Sequence, residues 1–116
     1  LSSVLPESSG EVMGVRENKV ERYLDSEVKR LKGLTRKWVS PGHDGVPDRI
    51  VIAPASVVTF VEVKTSDGVM SPAQEREQRR LAAQGVRVTT VYGKKGVDDF
   101  IDDIFSFKVK DSYGKS

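Results

Sequence analysis

The sequence predicts an α/β domain with element order αβββαβα, a four-strand mixed sheet flanked by helices. Three observations predict it. Ile50-Val51-Ile52 and Val57 to Val63 are rich in β-branched residues and bracket a turn at Pro54-Ala55-Ser56. Val20, Leu24, Val28 and Leu31 recur at helical spacing. The 116 residues amount to one domain, which buries roughly two-thirds of its unfolded surface.

Taken in order, Leu1 to Val15, with Pro6, Ser8, Ser9 and Gly10, reads as a flexible tail. Asn18 reads as an N-cap, the first helix as residues 19–32 and Gly33 as its stop. Leu34 to Val39 reads as a strand with Trp38 packing inward, and Ser40 to Pro47 as a loop with two glycines and two prolines. The hairpin follows, then a turn at Thr65-Ser66-Asp67-Gly68. Ser71 caps the second helix, Pro72 takes its first position and Gln74 completes a capping box. That helix ends near Gln84 and Gly85. Val86 to Tyr92 alternates as a fourth strand, and Val97 to Phe105 reads as a helix with Phe100, Ile101, Ile104 and Phe105 on one side. The expected organisation is a tail over 1–16, a domain over 17–107 and a polar tail over 108–116.

The hairpin carries the chemistry. Asp48 opens its first strand, and Glu62 and Lys64 close its second. If Ala53 pairs with Val57, antiparallel register sets Asp48 directly opposite Glu62, with Cβ atoms roughly 5 Å apart. Two like charges there repel unless a cation lies between them, and a divalent metal is the simplest candidate. A turn shorter by one residue would throw the two onto opposite faces. Glu62 and Lys64 are two apart and share a face whatever the turn does. Val63 points the other way, which leaves its carbonyl as a further hard ligand. Mg²⁺ prefers such oxygen ligands and keeps several waters. Lys64, about 6–7 Å along the strand from Glu62, can orient or help deprotonate an attacking water or face developing negative charge. Glu21 borders the apolar stripe of the first helix, and as the third residue after Asn18 it also reads as a capping-box acid; Glu17 and Glu27 are its rivals. His43, the one histidine, reads as a solvated loop residue, and Tyr92 as core or sheet surface.

In order along the chain stand Ser40-Pro41-Gly42, Gly45-Val46-Pro47-Asp48, Phe60-Val61-Glu62-Val63-Lys64, Ser71-Pro72-Ala73-Gln74 and the ending Leu81 to Val88. This string resembles the VRR-NUC (virus-type replication-repair nuclease) branch of the PD-(D/E)XK nuclease superfamily over about residues 19–105, in the stand-alone form typical of phages and bacteria. The resemblance implies a restriction-endonuclease-like core. It implies a Mg²⁺ site (Mn²⁺ substituting) on Asp48, Glu62, the Val63 carbonyl and Glu21, with Lys64 assisting and Gln74 beside it. It also implies phosphodiester hydrolysis of branched DNA, Holliday junctions among them, by a homodimer, leaving a 5′-phosphate and a 3′-hydroxyl.

Composition narrows the alternatives. With no cysteine there is no disulfide, thiolate zinc site or cysteine nucleophile. No apolar run reaches the ~18 residues of a membrane span, and Leu1 to Gly10 lacks the features of a secretory signal; with the resemblance to phage and bacterial proteins, the expected location is the bacterial or phage-infected host cytoplasm. The first residue is not Met, and Met13 is a candidate start. A net charge of +2 does not announce nucleic acid by itself. The cations cluster, however, at Lys29, Arg30, Lys32, Arg36 and Lys37, at Arg76, Arg79 and Arg80, and at Lys94 and Lys95. The rival expectations are a flap or restriction-type nuclease, a non-catalytic DNA-binding module of the same fold, and a subunit whose partner supplies specificity.

Overall fold

The computed structural model describes residues 4–54 and 57–115, and side chains over 16–54 and 57–105. Ala55 and Ser56 of the expected turn lie outside the described residues, as do residues 1–3 and 116 of the expected tails. Seven elements follow the expected order: α1 (Val4–Arg30), β1 (Leu34–Lys37), β2 (Arg49–Ala53), β3 (Val57–Lys64), α2 (Pro72–Ala83), β4 (Arg87–Tyr92) and α3 (Gly93–Lys115). The strands lie in the order β1-β2-β3-β4. The first two pairings are antiparallel and the third is parallel, so the sheet is mixed.

The hairpin register is the expected one. Ala53 pairs with Val57 and Arg49 with Val61, and one step further along sets Asp48 against Glu62. Paired residues share a face, so Val51, Ala53, Val61 and Val63 lie together against α1 and α3. There they meet Val20, Leu24, Val28, Val97, Phe100, Ile101, Ile104 and Phe105 in one core. The other face carries Phe60, Glu62, Lys64 and Thr90, and α2 docks on it where Gln78 Nε2 donates to Thr90 Oγ1 at 2.7 Å.

Several expected boundaries move. α1 begins at Val4 rather than near residue 19, and Asn18 lies inside it and caps nothing. Pro6 falls in the first turn, where backbone N–H groups have no helical partner and a missing one costs little. At the other end Gly33 N donates to Val28 O at 2.9 Å and Lys32 N to Lys29 O at 3.0 Å. This is the paired closure of a Schellman end, and Lys32 rather than a glycine takes the left-handed position, at φ 73°. Gly33 serves packing instead: a Cβ there would meet Val28 Cγ1 at 2.8 Å and Ile52 O at 2.9 Å. β1 stops at Lys37. Trp38 does not enter the core between the sheet and α1–α3; it packs on Phe60 across the opposite face, with ring centroids 5.0 Å apart. α3 is longer at both ends than the expected 97–105, so the backbone is helical over 106–115 as well as 4–15. No helix among the described residues is long and apolar enough to cross a membrane.

Candidate active site

The loop before β2 delivers Asp48. Pro47 is fully buried. Gly45, at φ 91°, lies so close to the start of α2 that a Cβ would meet Ala73 O at 2.5 Å, which only glycine permits. Asp48 is then held across the hairpin, because Val63 N donates to its Oδ2 at 2.9 Å. The Val63 side chain is buried in the core.

Glu62 is 2 % exposed. Its Oε2 accepts from Gln74 Nε2 at 2.9 Å and lies 3.6 Å from Lys64 Nζ. Its Oε1 is buried without a partner among the described residues. Burial first, and the Asp48 carboxylate second, push the Glu62 carboxyl up to about 8, with Lys64 opposing them. Ionising Glu62 therefore calls for more positive charge than Lys64 alone supplies.

Gln74 closes the capping box of α2 and touches Glu62 with the same side chain. Its Oε1 accepts from Ser71 N at 2.8 Å, and its backbone N–H donates to Ser71 Oγ at 3.1 Å. The amide nitrogen that remains is aimed at Glu62. A helix cap thus fixes the rotamer that meets the buried carboxylate.

Glu21 reaches this neighbourhood from α1. Burial, then repulsion from Asp48, raise its carboxyl above the ordinary range, while Lys37 and Arg49 oppose the shift. Arg49, next along the chain from Asp48, ties α1 to the start of β2. Its guanidinium lies 3.7 Å from Glu21 Oε1 and 3.1 Å from Asp25 Oδ2.

Among the described residues no three carboxylate or histidine side chains converge as a ready metal cage. The Asp48–Glu62 pair is assembled, and Glu21 stands beside it, held by Arg49. Of the rivals to Glu21, Glu27 is occupied by Arg30 at 2.8 Å.

His43 is not simply solvated. Its Nε2 lies 2.8 Å from Glu77 Oε1, and Arg80 approaches the same oxygen at 3.4 Å. The hydrogen bond to His43 is the main cause that holds the Glu77 carboxyl below its ordinary range. Glu77, Asp25 and Arg49 escape a reading of the sequence, although two of them carry a faint signal. Glu77 stands three residues after Gln74, hence on the same side of α2. Arg49 takes a core-facing register position opposite Val61, where a charge needs a partner. Tyr92 is exposed on the sheet surface at the end of β4.

The donor set fits a hard divalent cation. It consists of oxygens, two of its carboxylates repel one another across the hairpin, and one buried oxygen has no partner among the described residues.

The model of the VRR-NUC domain family matches residues 12–95. A protein named "Putative nuclease p44", from Acyrthosiphon pisum secondary endosymbiont phage 1, is 45% identical over 74 residues, which are 64% of this chain and 80% of that protein. A solved structure named "VRR_NUC domain" superposes with a TM-score of 0.70 at 38% identity, covering 75% of this chain and 95% of that one. A second, named "VRR_NUC domain protein", has a TM-score of 0.62 at 24% identity, covering 74% and 84%, and speaks for the fold alone.

Proposed function

The chain belongs to the VRR-NUC domain family, and on that premise we propose that it is a metal-dependent, structure-specific DNA endonuclease acting on branched DNA as a homodimer. The observation that carries this reading is the buried Glu62. It faces Asp48, one of its oxygens has no partner among the described residues, and Lys64 lies 3.6 Å from the other.

Asp48, Glu62 and the Val63 carbonyl, with Glu21, would hold Mg²⁺ or Mn²⁺. When bound, the ion supplies Lewis-acid charge at the scissile phosphate. The chain's own groups do the rest. Gln74 keeps Glu62 in one orientation. The Val63 N–H does the same for Asp48. Lys64 orients the attacking water and faces the charge that gathers on the phosphorus oxygens. The water oxygen bonds to phosphorus and gives up one proton to solvent, the bond from phosphorus to the 3′ oxygen breaks, and that oxygen takes up a proton from solvent. The products carry a 5′-phosphate and a 3′-hydroxyl.

The test is cleavage of a labelled panel (four-way junction, 5′ flap, 3′ flap, single strand and linear duplex), each with Mg²⁺, Mn²⁺ and EDTA. Metal-dependent cutting centred on the junction is the expected result. Preference for flaps would keep the chemistry and discard the junction. Binding without any cutting would favour a DNA-binding module or a subunit lacking its partner.

A further inference from the structure

We infer that the outward face of α1 is a track for the DNA phosphate backbone, with Lys19, Arg22 and Lys29 as its contacts. This rests on the nuclease reading above and adds where the substrate lies.

The three side chains are exposed. At 3.6 residues per turn they fall within about 80° of arc, roughly opposite Val20, Leu24 and Val28, which face the core. From Lys19 to Lys29 the helix advances about 15 Å, and one strand of a duplex passes about four phosphates in that distance. None of the three has a hydrogen-bond or ion-pair partner among the described residues.

The acids around the stripe are already engaged. Asp25 pairs with Arg49, Asp67 with Arg16, and Asp98 accepts from Tyr23 OH. None of these acids makes an ion pair with Lys19, Arg22 or Lys29, whose ammonium and guanidinium groups stay open to an incoming anion. Other basic groups that the sequence brings together are partly neutralised: Arg30 by Glu27, Arg80 by Glu77 and Lys95 by Asp99.

Position ties the stripe to the site. Lys19, Arg22 and Lys29 line one open groove with Thr65, Ser66 and Lys94. Thr65 directly follows Lys64 on the strand that carries Glu62. Lys94 is held at the edge with its ammonium 4.9 Å from the Tyr23 ring centroid. A strand seated on α1 thus runs toward the end of β3.

The test is fluorescence anisotropy of a labelled four-way junction over a salt series with Mg²⁺, in a Lys64→Ala background so that DNA is bound and cut only slowly on the timescale of the reading. Adding Lys19→Gln, Arg22→Gln and Lys29→Gln is expected to reduce the log–log salt slope by about 2–3 and to weaken binding by about tenfold or more. The exchange Lys19→Arg, Arg22→Lys and Lys29→Arg should keep the slope. An unchanged slope in the Gln triple variant overturns the inference and leaves the nuclease reading standing. So does a loss confined to Arg76→Gln with Arg79→Gln, which would move the track to α2. No DNA binding by the Lys64→Ala protein overturns the nuclease reading, and the inference with it.

Discussion

Glu62 combines burial, a carboxylate neighbour and an incomplete set of partners, so its protonation follows its surroundings. In the folded metal-free protein it gives up its proton at about 8, whereas in the unfolded chain it does so near the ordinary carboxylate value. Between those points the folded state binds more protons. The stability this contributes is fully present below the unfolded value and is lost as pH rises through 8. The melting temperature of EDTA-treated protein should therefore drop by about 5 °C or more across this window, and Glu62→Gln should flatten the profile. Mg²⁺ should raise the melting temperature more at pH 8 than at pH 6, since it binds the ionised form. A pH-independent profile in the wild type would contradict the account. Lys64 is the complementary case. Lys64→Ala should lower the cleavage rate by about 10²–10³-fold, the scale of a lost charge-stabilising donor, with DNA binding largely intact. Wild-type rates in that variant would remove Lys64 from the mechanism.

At the scale of elements, the site depends on a loop pressed against a helix end. Gly45→Ala places a Cβ 2.5 Å from Ala73 O at a positive φ, and the carbonyl belongs to a helix that cannot yield freely. Gly42→Ala, also at positive φ but with nothing within 4 Å, carries only the conformational cost of about 1–2 kcal/mol. Thermal denaturation should rank Gly45→Ala clearly below Gly42→Ala, and equal losses would deny the loop–helix contact its role. Of these elements the hairpin is legible in the sequence, because a three-residue turn fixes parity and β-branched runs mark its strands. So are the α2 cap and the Asp48–Glu62 pairing, both of which follow from local spacing. The ends of α1 and α3 are not, since Asn18 carries the chemistry of a cap whether or not the helix continues through it. The His43–Glu77 contact spans 34 residues, and Arg49 with Asp25 spans 24; pairs at such separations leave no local trace.

At the scale of the whole molecule, the described residues form one candidate site per chain. Cutting both strands of a junction then calls for two copies, and twofold symmetry is the commonest closed arrangement. Sedimentation at working concentration should show a dimer, and a lone monomer there would count against paired cutting. The topology has a consequence for the order of events in folding. Asp48 and Glu62 belong to one hairpin, a local pairing that closes early, whereas β4 joins β3 only after the chain has travelled through α2. The repulsion between the two carboxylates is then met on the way up the barrier, before Gln74 arrives. In metal-free protein above pH 8, Glu62→Gln should refold faster than wild type in stopped-flow mixing, with a smaller change in the unfolding rate.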